Sequence, residues 1–121
     1  MKQIAFNDQF REKTKILALD IIRTVSPKKY SDAISVIRKQ LFRSATSVAA
    51  NFRSSCRARS QKELYAKLCI VVEESDEVLF WLELLVDGKM MDADQLQSIQ
   101  KDALEVLKVM SSYKHRVGQT L

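Results

Sequence analysis

Hydrophobic residues recur at intervals of three and four along most of this chain, the spacing that places them on one face of an α-helix. Four such series are present, and they predict helices over residues 5–25, 31–59, 61–87 and 92–117. The connections between them hold only a few residues, so consecutive helices are expected to run antiparallel. The pattern predicts an all-α fold, an up-down-up-down antiparallel four-helix bundle, with all 121 residues in a single domain.

Polar residues mark where three of the helices begin. Ser31 precedes the second hydrophobic series and is a predicted N-cap. Ser60 opens the third helix and is followed three residues later by Glu63, the spacing of a capping box. Asp92 or Asp94 begins the fourth helix. Each of these side chains can accept a hydrogen bond from a backbone N–H that the first helical turn leaves free.

Proline and glycine indicate where the helices end. Pro27 disfavours helical geometry in the residue before it, so the first helix is expected to stop near Val25. Gly88 is expected to adopt the left-handed conformation that often ends a helix. Residues 53–61 (RSSCRARSQ) have the composition of a linker, but their basic residues continue the spacing of the second helix. That helix is therefore predicted to extend to Arg59.

The third predicted helix carries hydrophobic residues outside its main seam. A heptad series of leucine and valine forms the seam, and a second group lies beside it: Ile70, Phe80, Trp81 and Leu84. Two interpretations are open. Either one bundle has a wide hydrophobic face here, or the second group is buried against another subunit.

Composition narrows the class of protein. Hydrophobic residues make up 46% of the chain and charged residues 29%, which is typical of globular proteins, and only two glycines and one proline are available for tight turns. No uncharged stretch approaches the roughly 18 residues of a membrane-spanning helix. The first residues, MKQIAF, lack the apolar segment of a signal peptide. With two cysteines and no disulfide framework, we expect a cytoplasmic protein.

Positive and negative charges are segregated along the chain. Residues 38–67 contain eight Lys or Arg and one acid, a net charge of +7, whereas residues 73–105 contain ten acids and two lysines, a net charge of −8. Four of the cations share a sector of about 80° of the second helix, opposite its hydrophobic face. They are Lys39, Arg43, Arg53 and Arg57. A row of cations on one helix is typical of proteins that contact phosphates.

Salt bridges offer another interpretation of the same row. Arg43 and Arg53 would then pair with Glu73, Glu74 or Glu77 on a neighbouring helix, as charged helix faces commonly do. No aromatic residue interleaves with the cations on the solvent side, so we do not expect base stacking. Any contact with nucleic acid should involve the phosphate backbone, tolerate many sequences and weaken with salt.

The sequence lacks the residue sets that are typical of enzymes. The acidic run at 73–77 suggests a di-iron bundle, but the Glu-x-x-His pairs of such sites are missing, since His115 is the only histidine. Cys56 and Cys69 form no CxxC motif, and no glycine-rich loop is present to hold a phosphate or an oxyanion. We expect no catalytic residues, no metal and no cofactor, two cysteines in the core and a histidine at the surface.

Poor helix formers occupy the middle of the second helix, at Ser44, Thr46, Ser47 and Asn51. In one interpretation, small residues allow close helix approach while their polar groups bond back to the same helix. In the other, Asn51 makes a specific hydrogen bond across a helix or subunit interface. We favour the first interpretation.

The same region resembles a bacterial family of four-helix-bundle proteins encoded in 23S ribosomal RNA intervening sequences, which includes the accessory variability protein of diversity-generating retroelements. The resemblance covers about residues 10–117. It is carried by residues 43–53 (RSATSVAANFR), 58–64 (ARSQKEL) and 72–77 (VEESDE), with Trp81 and Leu82. Many members have a glutamate and a glycine soon after the asparagine, as in NIAEG. This chain has Asn51-Phe52-Arg53-Ser54-Ser55 instead, which favours an unbroken second helix.

The resemblance implies a pentameric ring of bundles without enzymatic activity. For the retroelement branch it also implies nucleic-acid binding and association with a reverse transcriptase. The basic positions in the similar region are Arg38, Lys39, Arg43, Arg53, Arg57 and Arg59. We therefore expect a non-enzymatic, oligomeric nucleic-acid-binding accessory protein that contacts RNA or DNA backbones through the basic face of the second helix. The alternative is a protein-interaction scaffold with no nucleic-acid role.

Overall fold

The computed structural model describes residues 2–121, which form four α-helices and no strands. The helices are α1 (Lys2–Val25), α2 (Asp32–Ser55), α3 (Gln61–Asp87) and α4 (Ala93–Gly118). Both α1 and α3 pack against α2 and α4, so the four helices surround one shared hydrophobic core. In the part of the chain that is described, no helix combines the length and the hydrophobicity needed to cross a membrane.

Contacts between helix ends show that neighbouring helices run antiparallel. Phe6 near the start of α1 lies against Phe52 near the end of α2, with ring centroids 6.2 Å apart, and against Tyr113 near the end of α4, at 5.0 Å. Gly118 at the end of α4 lies beside Tyr65 near the start of α3. The predicted up-down-up-down four-helix bundle is confirmed.

An aromatic cluster closes one end of the bundle. Phe10 joins Phe6, Phe52 and Tyr113, and its ring meets that of Phe52 edge-to-face at 6.5 Å and 65°. Phe52 is fully buried. Edge-to-face packing sets the positive edge of one ring against the negative face of another, which adds to the stabilisation from burial. The cluster ties the start of α1 to the ends of α2 and α4.

The predicted starts of the second, third and fourth helices agree with the structure to within one residue, whereas α1 begins at Lys2, three residues before its predicted start. Ser31 Oγ and Ser60 Oγ each accept a hydrogen bond at 3.1 Å from the N–H three residues later, so both N-caps are confirmed. The predicted capping box is only half formed, because the Glu63 carboxylate accepts from Arg59 Nε at 3.4 Å instead of from the Ser60 N–H. Of the two candidates for α4, Asp92 is the N-cap.

The predicted extension of the second helix to Arg59 is wrong, because α2 ends at Ser55. Ser55 Oγ donates to the carbonyl of Phe52 at 2.6 Å. The N–H groups of Arg57 and Ala58 bond to carbonyls only three residues before them, at 3.0 and 3.1 Å, which tightens the chain into a turn. Serine hydroxyls compete for helical backbone groups in this way. Arg57 and Arg59 therefore lie in the α2–α3 connection.

The end of α3 also differs from the prediction. Gly88 has a φ of −79°, and the left-handed residue is Lys89, with a φ of 58°. The N–H groups of Lys89 and Met90 bond back to α3 carbonyls at 3.0 and 2.9 Å, the pattern of a Schellman motif. Glycine is required at position 88 for space, since a Cβ there would lie 2.8 Å from the carbonyl oxygen of Leu84.

Candidate nucleic-acid interface

Arg43 projects from α2 towards the acidic side of α3. Its Nη1 donates to both carboxylate oxygens of Glu74, at 3.3 and 3.2 Å, and its Nη2 donates to Glu77 at 3.0 Å. The Glu74 side chain is only 14% exposed, whereas that of Arg43 is 50% exposed. The salt-bridge interpretation is therefore confirmed for Arg43, which connects two helices.

Two further candidate cations have partners within the chain. Arg38 Nη1 donates to the carbonyls of Ser26 and Lys28, at 3.2 and 3.0 Å, and so joins α2 to the connection that follows α1. Arg59 pairs with Glu63 across 3.4 Å, a long contact at the surface. These contacts reduce the availability of both guanidinium groups for a phosphate, most strongly for Arg38.

The other three candidates are exposed and lack an ion pair among residues 2–121: Lys39, Arg53 and Arg57. Arg53 lies about 80° around α2 from Arg43, because ten residues separate them at about 100° each. Arg53 lies on the side of α2 that faces α1, and the alternative pairing of Arg53 with α3 does not form. The cations predicted to form one row on α2 therefore point in two directions, Arg43 towards α3 and Arg53 towards α1.

Arg53 and Arg57 line a groove between α1 and α2, which we call the α1/α2 groove. Its volume is about 640 Å³. The charged residues along it are Arg11, Glu12 and Lys15 of α1 together with Arg53 and Arg57, so four cations face one acid. The remaining lining residues are Ala18, Leu19, Ile22, Thr46, Ala49 and Ala50. The net positive charge of the groove is suited to an anion.

Sequence reasoning missed the contribution of α1 to this groove. The charges of α1 are mixed in sign, with five Lys or Arg and three acids over Lys2–Val25, but Arg11 and Lys15 are four residues apart, which places them on one face of a helix. Arg53 and Arg57 have the same spacing, and the turn after Ser55 still leaves Arg57 beside the groove. Arg11 also pairs with Asp8 of its own helix. Only the contact between α1 and α2 unites the two pairs of cations.

The small polar residues of α2 bond within their own helix. Asn51 Nδ2 donates to the Ser47 carbonyl and to Ser47 Oγ, both at 3.0 Å. Thr46 Oγ1 donates to the carbonyl of Phe42 at 2.8 Å. Ser44 is buried in the bundle. Within the chain the first interpretation is confirmed, because the hydrogen bonds of Asn51 are made to Ser47 of its own helix.

The second hydrophobic group of α3 is only partly covered. Trp81 and Leu84 pack against the core, whereas Ile70 remains 40% exposed and Phe80 48% exposed. The Phe80 ring contacts Trp81 edge-to-face, with centroids 4.9 Å apart. A wide hydrophobic face of one bundle accounts for Trp81 and Leu84, and it leaves Phe80 at the surface.

The cysteines and the histidine are the residues of this chain most typical of reactive or metal sites. Cys56 and Cys69 are half-buried and free, rather than in the core as predicted. Burial raises the pKa of the Cys56 thiol, which disfavours the reactive thiolate. His115 is exposed, as predicted. Within residues 2–121, no cluster of three or more His, Cys, Asp or Glu side chains is placed to hold a metal ion.

These features define a class of small, antiparallel four-helix-bundle proteins with segregated charge. Residues 7–112 match the family described as 23S rRNA-intervening sequence protein, and the chain belongs to that family. The chain is also similar to the crystal structure of a protein of unknown function from the S23 ribosomal protein family of Bacteroides thetaiotaomicron. The two are 30% identical with a TM-score of 0.76, and the match covers 86% of this chain and 96% of the other. No curated protein matches the chain. Neither description assigns an enzymatic activity.

Proposed function

We propose that this protein is a non-enzymatic, oligomeric accessory protein that binds the backbone of RNA or DNA at the α1/α2 groove and the adjoining surface of α2. One observation carries the proposal: Lys15, Arg53 and Arg57 converge on a single groove and have no ion pair among residues 2–121. Membership of a family named for a ribosomal RNA sequence gives further support.

The charge pairing of each cation determines what it contributes to phosphate binding. An exposed, unpaired Arg or Lys can neutralise a phosphate and release the counterions around it, which is the main source of sequence-independent affinity. Arg43 would first have to leave Glu74 and Glu77, and Arg38 would have to leave two carbonyls. The structure therefore favours Arg53, Arg57 and Lys39 among the candidates, with Lys15 and Arg11 added from α1.

Assembly into a ring would repeat the groove around the oligomer. The family resemblance implies a pentamer, and the exposed Phe80 and Ile70 on α3 provide a hydrophobic surface for contact between subunits. Several weak backbone sites on one particle bind a long nucleic acid more tightly than a single site does. A reverse transcriptase is the protein partner that the retroelement branch suggests, and co-purification from a cell that expresses both proteins would test it.

Paired variants of equal charge test the proposed interface. Arg53→Gln with Arg57→Gln removes two unpaired cations from the α1/α2 groove, and Arg43→Gln with Arg59→Gln removes two cations that have acidic partners. Binding to an RNA and to a DNA duplex is measured over a range of salt concentrations. We expect the groove variant to flatten the slope of log affinity against log salt by about 1.4–1.8, since each lost contact contributes about 0.7–0.9.

The matched variant controls for the loss of net charge. It should change the slope much less, because its two arginines already neutralise carboxylates. Circular dichroism and sedimentation are used to check that both variants remain folded and assembled. Equal slopes for the two variants, or no binding by the parent protein at low salt, would contradict the proposed interface.

A protein-interaction scaffold is the second candidate, and the exposed hydrophobic surface of α3 favours it. Ile70 and Phe80 are exposed on the solvent side of α3. On the same helix, Glu74 and Glu77 pair with Arg43 and so neutralise part of the positive charge of α2. A scaffold would bind an acidic protein partner without measurable affinity for nucleic acid. The salt titration above distinguishes the two functions, because only the first predicts a slope set by phosphate contacts.

A further inference from the structure

The α1/α2 groove has a basic end and an apolar end. Because α1 and α2 are antiparallel, Arg11 and Lys15 in the first half of α1 lie beside Arg53 and Arg57 near the end of α2. The remaining lining residues continue from there towards the other end of the helix pair. They are Ala18, Leu19, Ile22, Thr46, Ala49 and Ala50, and five of these six side chains are hydrocarbon.

Small side chains leave this space open. Ala49 and Ala50 on α2 and Ala18 on α1 present only methyl groups where the two helices face each other. Larger residues at these positions would fill the space and convert the groove into a ridge. The result is a concave, open site of about 640 Å³ with apolar walls next to a cluster of cations.

The two ends together select the kind of anion that fits. The four cations outnumber Glu12, so the occupant should be negatively charged. The apolar end contributes to the binding free energy only when the occupant also buries hydrocarbon or ring surface there, at roughly 25 cal/mol per Å². An inorganic phosphate or an acidic side chain has the charge without that surface. A nucleotide has both, in its phosphate and its base.

Duplex nucleic acid cannot present these two groups to one groove. Its phosphates lie on the outside while its bases are stacked and paired inside, so only the basic end of the groove would be used. An unpaired strand can direct a base into the apolar end while its phosphates contact Arg53 and Arg57. We infer that the α1/α2 groove is a binding site for single-stranded RNA or DNA, with an unpaired base against Ala49, Ala50 and Ile22. This inference rests on the proposed nucleic-acid function.

The α1/α2 groove should distinguish unpaired strands from duplexes, but it should not distinguish one base sequence from another. No aromatic residue lines the groove, so the base packs against aliphatic groups, and the site lacks side chains arranged to read base edges. We expect a single strand with bases to bind about five-fold more tightly than an abasic strand with the same number of phosphates. The same ratio is expected against a duplex with the same total number of phosphates. That ratio corresponds to about 1 kcal/mol.

Fluorescence anisotropy with the full-length protein tests this inference. The probes are a short mixed-sequence RNA, the DNA of the same sequence, the matching duplex, an abasic phosphodiester strand and a poly-glutamate peptide. Ala50→Gln places an uncharged polar side chain in the apolar end of the groove. Ala66→Gln, at an exposed position on α3 outside the groove, is the matched control.

The expected result is a loss of the five-fold preference in Ala50→Gln, whose affinity for the strand should fall to that for the duplex, while Ala66→Gln behaves like the parent. If the parent binds the strand, the duplex and the abasic strand equally, the inference fails and the backbone-binding function stands. If the parent binds no nucleic acid at low salt, the function fails and the inference fails with it. Poly-glutamate binding as tight as that of the strands would also overturn the inference, in favour of an acidic protein partner.

Discussion

Arg43 of α2 donates from Nη1 to both carboxylate oxygens of Glu74 on α3, at 3.3 and 3.2 Å, and the carboxylate is largely shielded from solvent. The salt bridge joins the basic and acidic segments of the chain within one molecule. It shows that segregation of charge along a sequence does not by itself indicate an external partner. Part of the opposite charge is neutralised where α2 and α3 pack together.

Arg43→Gln should lower the free energy of unfolding by about 1 kcal/mol, because it leaves the shielded Glu74 carboxylate without its cation. Arg53→Gln should change it by less than about 0.5 kcal/mol, since Arg53 is exposed and has no ion pair to lose among residues 2–121. Urea denaturation at a fixed protein concentration measures both. Equal losses in the two variants would indicate that the Arg43 salt bridge does not stabilise the bundle.

The end of α3 provides a prediction that is independent of charge. Lys89 has a φ of 58°, which is strained for a residue with a Cβ, so Lys89→Gly should stabilise the protein by about 0.5–1 kcal/mol. Gly88→Ala should destabilise it, because the new Cβ would lie 2.8 Å from the Leu84 carbonyl oxygen. Thermal and urea unfolding of both variants test this pair. A stabilising Gly88→Ala would show that the connection can shift to accept a Cβ.

Stability should fall at alkaline pH because of two groups in the aromatic end of the bundle. Burial raises the pKa of Cys56 above its ordinary value of 9.0. Burial, and then the neighbouring Cys56, raise the pKa of Tyr113 above 10.0. The folded protein therefore holds these protons more tightly than the unfolded chain. Their stabilising contribution is complete below about pH 9 and is lost as the pH rises through the folded pKa values.

The double variant Cys56→Ala, Tyr113→Phe isolates this effect. Its free energy of unfolding should decline less than that of the parent as the pH is raised above about 9. Ala66→Gln, which changes an exposed residue of α3 and no titratable group, should retain the decline of the parent. Parallel curves for the parent and the double variant would exclude these two groups as the cause.

Most of the fold was predictable because each helix carries its own signals. The three- and four-residue spacing, Ser31, Ser60 and Pro27 act within a few residues, and the helices begin and end close to where these signals lie. The end of α2 was not predictable from spacing, because the spacing of the basic residues continues through residues 53–59. There the Ser55 hydroxyl bonds to the Phe52 carbonyl, and backbone N–H groups bond to carbonyls three residues earlier, so the chain forms a turn. The spacing of residues gives no signal of these bonds.

The candidate site was predictable only in part. Arg53 and Arg57 were identified from their positions on one helix, but the availability of a cation depends on what the adjacent helix offers. Arg43 meets Glu74 on α3, whereas Arg53 meets the Arg11 and Lys15 face of α1. The spacing of residues within one helix carries no information about this difference. The groove forms only where α1 and α2 pack together. Its apolar lining could not be predicted from the net charge of a segment, because uncharged residues do not contribute to that charge.

The exposed part of α3 leads to a prediction about assembly. Phe80 is 48% exposed on the outer side of α3, and the family resemblance implies a pentamer, so we expect Phe80 to be buried between subunits. Phe80→Glu would then place a charge in that interface, where burial without a partner is costly, and should give dissociated subunits. Leu104→Glu is the matched control, since Leu104 is a comparably exposed hydrophobic residue, 41% exposed, on α4.

Analytical ultracentrifugation at micromolar concentration distinguishes the possible results. The parent and Leu104→Glu should sediment as one closed oligomer, and Phe80→Glu as a monomer with unchanged helical circular dichroism. If Phe80→Glu retains the mass of the parent, the subunits meet through another surface, and the exposure of Phe80 then favours a different protein partner. A parent that is monomeric at this concentration would contradict the oligomer itself. The α1/α2 groove would then have to bind nucleic acid without the gain in affinity that repeated sites provide.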